Sequence, residues 1–289
     1  MLKDVAKNLM QKLEFPLEEQ NELLVALDKL LETNDFESVV SKYGSDDFDF
    51  MLELENIKTI AQKKDIDVFT ANMLFLICMT PKLHEKYIYQ GIDDKIFYDT
   101  MLDLKYKLQE CRLVHNRCGT FVASWYKGFF DMKIFALGRL QFEINHTWFD
   151  CEVNDRKLPK GTKVLSVHIP RTGTRLDHNL VLESYKQAKQ FFENEFETDI
   201  IFICNSWLLD TWNRKFLNDG SNLAQFYDDF TIVQTGNYRD YSETWRLFDC
   251  LYTGNLDDLP CDTSLRRAYI ERIKSGLPTG YATGVILNI

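Results

Sequence analysis

A chain of 289 residues with 45% hydrophobic and 13% aromatic side chains has ample material for a core and is not a disordered segment. Its formal net charge of −10 argues against a general binder of nucleic acids or anionic membranes, while leaving room for a local basic site. No stretch approaches the apolar length of a membrane span, the N-terminus lacks the apolar core of a signal peptide, and seven scattered cysteines make no disulfide framework; a reducing cytoplasm is the expected location.

Residues 1 to about 133 read as helical throughout. Val5, Leu9 and Leu13 recur at four-residue spacing, as do Leu23, Leu27 and Leu31, so each segment carries one apolar stripe. Asp35 precedes the short run 36–43, which Gly44 closes, and 47–63 is a further periodic stretch. Residues 67–79 are apolar on nearly all sides, the pattern of the buried helix in a bundle. Thr80-Pro81 is expected to restart the chain as an N-cap followed by a helix-compatible proline. The longest continuous pattern is 93–114. Cys111, His115 and Cys118 then share one helical face at i, i+4 and i+7. A structural zinc needs a fourth ligand, none is near, and core packing is the expectation.

From Gly138 the texture changes. Residues 137–145 alternate, with Leu140, Phe142 and Ile144 on one face and Arg139, Gln141, Glu143 and Asn145 on the other. A polar turn region, 154–161, leads to the compact strand 164–169, which Pro170 ends. Gly173 allows a tight turn and Asp177 is placed to cap a helix whose apolar positions are Leu180, Val181, Tyr185, Ala188 and Phe192. Next come a buried strand (199–204), a helix (222–230) and a short strand (231–235). Residues 243–252 alternate again, 254–260 turn, 263–274 form a late helix and 282–287 a final strand. The expected fold class is α+β: an all-α domain, 1–133, followed by a mixed α/β domain, 134–289.

A strand–turn–helix unit aims backbone N–H groups at whatever sits at the helix start, which makes 164–192 a natural phosphate cradle flanked by Arg171 and Arg175. Ser166 and His168 face away from Leu165, Val167 and Ile169, and a strand covered on both sides would not be polar there. If that polar face and the one bearing Gln141 and Glu143 share a side of the sheet, they line a cleft beside the cradle. Glu143 or His168 is then the candidate general base, taking a proton from an amine directly or through water. Cys204 ends a buried strand with nothing near to lower its pKa, and Ser206 lacks the flanking glycines of a nucleophile elbow; a hydrolase would need His168 beside one of them. The segment PRTGTR is neither a P-loop nor a dinucleotide fingerprint, which disfavours an NTPase or a Rossmann dehydrogenase.

The order strand, strand, Arg-containing turn, helix, strand, then the helix SNLAQFYDDF resembles the GCN5-related N-acetyltransferase (GNAT) fold, whose central sheet is mostly antiparallel. In that superfamily the turn Arg/Gln-x-x-Gly-x-Gly/Ala binds the pyrophosphate of coenzyme A. Here Arg171 and Gly173 stand at that turn with Arg-x-Gly spacing and without the last glycine. The resemblance implies acetyl-CoA or another acyl-CoA as substrate, held by Ile169, Arg171, Thr172, Gly173, Thr174 and Arg175, with Tyr227 protonating the departing thiolate. The strings LGRLQFE, VHIPRTG and CNSWLLD look like a bacterial family of predicted acyltransferases that pairs a helical N-terminal domain with a GNAT-like C-terminal domain. It implies N-acyl transfer to a small-molecule or peptide amine, with neither nucleic acid nor membrane as partner. The alternative is a non-catalytic binding or regulatory protein on a degenerate acetyltransferase scaffold; the missing glycine favours it, and a cleft plugged by Trp207 or Tyr227 would favour it further.

Overall fold

The computed structural model describes residues 2–287. Contacts divide the chain into two compact units, 1–135 and 136–289, each with its own core.

The first unit is helical: α1 (Leu2–Lys12), α2 (Leu17–Leu30), α3 (Asp35–Ser41), α4 (Phe50–Lys63), α5 (Val68–Tyr89), α6 (Asp94–His115) and α7 (Lys127–Phe130). Aspartates set three of the helix starts. Asp49, Asp67 and Asp93 accept backbone N–H bonds at the heads of α4, α5 and α6, satisfying donors that the helix leaves open. Helix α5 is the central one, and Met73, Leu74, Phe75, Leu76 and Ile77 are fully buried in succession. It does not break at Thr80-Pro81. Proline at 81 has no N–H to reach the Ile77 carbonyl four residues back, but the Thr80 hydroxyl donates to that carbonyl at 2.7 Å. Burial on every side of α5 holds the helix together where propensity alone would end it. Cys111 and Cys118 are buried, their thiols pushed up to about 12 by desolvation, and the His115 ring packs edge-on against Phe69 and Phe121. Core packing accounts for all three residues.

The division falls within β1 (Ile134–Leu137), and the second unit goes on with β2 (Leu140–His146), β3 (Cys151–Val153), β4 (Arg156–Leu158), β5 (Lys163–His168), α8 (His178–Phe191), β6 (Phe202–Ser206), α9 (Asn222–Asp228), β7 (Thr231–Asn237), α10 (Trp245–Phe248), α11 (Ser264–Lys274) and β8 (Gly280–Ile286). Six strands form one mixed sheet in the order β1-β2-β5-β6-β8-β7, in which β5 and β6 are parallel while β2–β5, β6–β8 and β7–β8 are antiparallel. Three expectations change. The strand read over 137–145 is divided at Gly138 (φ +73°) and Arg139, with β1 before the turn and β2 after it. The polar turn region supplies the turn and second strand of the hairpin β3–β4, turned at Asn154 and Asp155, both at positive φ as a type I′ turn requires. Residues 243–252 are not a strand but a short helical segment centred on α10. Trp245 and Phe248, three apart, are both buried, a spacing that serves one face of a helix.

One face of the sheet is apolar. Phe142, Val167 and Phe202 are buried on it, and Tyr185 of α8 packs against Phe142 and Phe202 at ring-centroid distances of 6.1 and 4.9 Å. The end of α9 seats directly on β8. A Cβ at Gly284 would stand 2.6 Å from the Phe230 Cβ, so only glycine permits that approach.

Candidate functional site

The opposite face changes character along its length. Strand register pairs Gln141 with His168 and Glu143 with Ser166, so these four side chains project to the same side. The Glu143 carboxylate and the His168 Nε2 stand 3.2 Å apart across the β2–β5 seam, each side chain about a quarter exposed or less. On the same face, Asn205 of β6 donates to the Thr283 hydroxyl of β8 at 2.8 Å. Towards the other end, Val164, Ile203 and Val285 form a dry floor covered by Val153 and Leu158 of the hairpin. The face is dry under the hairpin and polar beyond it, where Gln141, Ser166 and Thr283 are buried and Glu143, His168 and Asn205 reach solvent.

The parallel pairing of β5 with β6 spans only Leu165–Phe202 and Ser166–Ile203, although both strands run on, to His168 and Ser206. The Glu143–His168 pair thus lies where the central seam stops being registered. Immediately beyond it comes the turn. Arg139 donates from Nη1 to the Pro170 carbonyl at 3.0 Å, and the Thr172 N–H donates to the same oxygen at 3.0 Å. The Thr172 and Thr174 hydroxyls bond each other at 2.7 Å, and Gly173 takes φ +75° with open space where a Cβ would stand. Asp177 caps α8, accepting from Asn179 and Leu180 N–H at 3.0 and 3.3 Å. That cap uses two of the helix's first donors and adds a negative charge. An anion here would rest on the turn, its hydroxyls and its arginines more than on the head of α8. Arg175 is exposed, Ile169 and Arg171 half-buried, and the Arg171 guanidinium is ion-paired with Asp249. Donors of this kind fit phosphate oxygens.

Tyr227 lies on α9, in the layer over the apolar face. Burial first, then the charges of Asp210 and Asp228, raise its pKa, so its phenol holds its proton at neutral pH. Neither alternative nucleophile is equipped. Cys204 is buried with its thiol pushed up to about 12 by desolvation, and the Ser206 hydroxyl accepts from the Leu208 N–H at 3.2 Å. Trp207 packs with Phe248, Leu259 and Tyr269.

Three features escaped the sequence. Arg139 supports the turn from the β1–β2 connection. Asp249, at the end of α10, bridges Arg171 and Arg266. His178, the first residue of α8, bonds the Asp229 carboxylate at 2.9 Å; burial raises the pKa of Asp229 and the histidine opposes the rise. Each joins residues far apart in sequence, and no local pattern announces such contacts.

Comparison with known proteins completes the picture. Residues 134–286 match the model of the GNAT-like C-terminal domain, and residues 4–132 match that of the N-acyltransferase N-terminal domain. No protein of curated function matches the chain. Among solved structures, an acyltransferase mutant in complex with octanoyl-CoA superposes with a TM-score of 0.75 at 22% identity, covering 98% of this chain and 88% of that one. An acyltransferase in complex with decanoyl-CoA and teicoplanin superposes with a TM-score of 0.71 at 24% identity over the same shares. A further acyltransferase structure, with decanoyl-CoA, gives 0.72 at 21%, again over 98% and 88%.

Proposed function

The chain belongs to the family that joins an N-acyltransferase N-terminal domain to a GNAT-like C-terminal domain, and from that premise we propose that it moves an acyl group from acyl-CoA to an amine. The observation that carries the proposal is the partly exposed Glu143–His168 contact on the polar face, at the end of the β5–β6 register and beside an arginine-bearing turn. A thioester laid along that seam has the pair on one side and backbone donors of the strands at its carbonyl.

The acceptor is a small-molecule or peptide amine. Its ammonium gives one proton to the Glu143–His168 pair, and the neutral nitrogen attacks the thioester carbonyl. As the carbon–sulfur bond of the tetrahedral adduct breaks, the thiolate takes a proton from Tyr227, whose raised pKa keeps it loaded. The second nitrogen proton passes through water to restore the phenol, and the first proton leaves the Glu143–His168 pair to solvent. No covalent enzyme intermediate is needed, in keeping with the buried Cys204, whose thiol desolvation keeps protonated. Ile169, Arg171, Thr172, Gly173, Thr174 and Arg175 hold the pyrophosphate. The neighbours solved with octanoyl-CoA and decanoyl-CoA support acyl chains of that length as first substrates to try. A cytoplasmic setting fits the seven unpaired cysteines.

The test is steady-state acyl transfer from octanoyl-CoA to a panel of amines, with Glu143→Ala and His168→Ala. Each change should lower kcat about 100-fold or more while leaving acyl-CoA affinity in place. Full activity in both variants ends the assignment of the base.

A further inference from the structure

Asp249 ties two arginines together. Its Oδ1 is ion-paired with Nη1 of Arg171, in the turn, and its Oδ2 accepts from Nη2 of Arg266, on α11, at 2.7 Å. The two ties differ in kind. Arg266 is locked: its Nε donates to the Leu247 carbonyl at 2.9 Å, its Nη1 to Asp262 at 2.8 Å, and its side chain is only 16% exposed. Arg171 is twice as exposed, at 34%, and, although the Nη1 that meets Asp249 is itself buried, Asp249 is the one carboxylate with which the guanidinium is paired among the described residues. If Arg171 leaves, Asp249 keeps a hydrogen-bonded cation. Separating the pair therefore strands no carboxylate, which is the step that usually makes breaking a half-buried ion pair costly.

We propose that Asp249 is the resident counter-ion of the phosphate turn: it neutralises Arg171 when no phosphate is bound, and the pyrophosphate of the acyl-CoA displaces it. The inference rests on the proposed acyl-CoA site and adds a competitor to it. Carboxylate and phosphate oxygens seek the same guanidinium N–H groups, so the affinity of the turn for phosphate is what remains after Asp249 is displaced. The exchange is between anions, and a ligand without phosphates gains nothing from the loss of Asp249.

The experiment is calorimetric titration of the full chain and of Asp249→Asn with coenzyme A, with inorganic pyrophosphate and with S-octanoyl-pantetheine, which carries no phosphate. Asparagine tolerates the left-handed backbone of position 249 (φ +62°) and keeps an acceptor for Arg266, so the variant should fold. The expected result is a Kd for coenzyme A lowered by roughly three- to tenfold, with pyrophosphate shifted the same way and the pantetheine thioester unchanged. An Arg171→Ala background should abolish the difference. Coenzyme A bound equally well or more weakly by Asp249→Asn overturns the counter-ion and makes Asp249 a support for Arg171. If coenzyme A fails to bind but pyrophosphate binds and tightens, the counter-ion stands and the acyl-CoA assignment falls. If neither phosphate ligand binds either protein, both fall.

Discussion

At the level of single residues, charge and burial decide which substitutions matter. Asp210 and Arg272 form an ion pair at 2.7 Å with side chains 9% and 7% exposed, and the guanidinium lies 4.6 Å over the Trp212 ring. Removing one partner leaves the other charged and dry, so Asp210→Ala should cost about 3–5 kcal/mol in urea unfolding. The double variant Asp210→Leu, Arg272→Met should recover much of that loss; if it is additive, the pair is not coupled. Asp229 makes a prediction in pH. Burial raises its pKa above 3.8 in the folded chain, so between 3.8 and that raised value the folded state binds more protons than the unfolded state. Stability contributed through this group is then greatest in acid and declines as pH rises through the window. Measured against Asp229→Asn, the wild-type chain should lose relative stability as pH rises above 3.8, and a flat difference would contradict the assigned environment.

At the level of elements, α5 shows what sequence patterns convey and where they stop. Its apolar run marked it as the buried helix, yet Thr80-Pro81 spelled a boundary, because the rule for that dipeptide is local and the hydroxyl that repairs the ladder is visible only in three dimensions. Thr80→Val should destabilise the chain by about 1 kcal/mol through the orphaned Ile77 carbonyl. Pro81→Ala should stabilise it, by up to about 3 kcal/mol, by restoring the backbone donor. A Pro81→Ala variant with a lower melting temperature would mean that the ring is packed into the core more tightly than the helix needs. The same limit explains the second unit. Strand β5, the turn and the Asp177 cap were legible because each is written in a few adjacent residues. The two polar faces, read separately on β2 and β5, needed the register Gln141–His168 and Glu143–Ser166 to become one site. Residues 243–252 misled because a short helix between buried Trp245 and Phe248 offers too few residues to separate a period of 3.6 from one of 2. Arg139, Asp249 and His178 were out of reach for another reason: their partners lie 17 to 78 residues away, and charge carries no address.

At the level of the whole molecule, the question is whether each unit contains what it needs to fold. The helical unit buries Leu23, Leu27, Phe36, Ile57 and Phe97 to 2% exposure or less, and three of its helices begin with a carboxylate cap of their own. A self-sufficient core of this kind should unfold cooperatively in isolation. The fragment 1–135 should therefore show a helical circular-dichroism spectrum and a single sigmoidal urea transition. Where the cut is made matters. Phe135 packs its ring 5.6 Å from that of Tyr87 on α5, and Tyr87 in turn meets Phe97 of α6 at 5.3 Å. A fragment ending at 133 lacks the first of these contacts and uncovers a ring otherwise fully buried, so its urea midpoint should be lower than that of 1–135. Equal midpoints would show that the 133 boundary read from the sequence already encloses the whole helical core. A broad, non-cooperative transition in both fragments would show that the helical unit does not fold by itself.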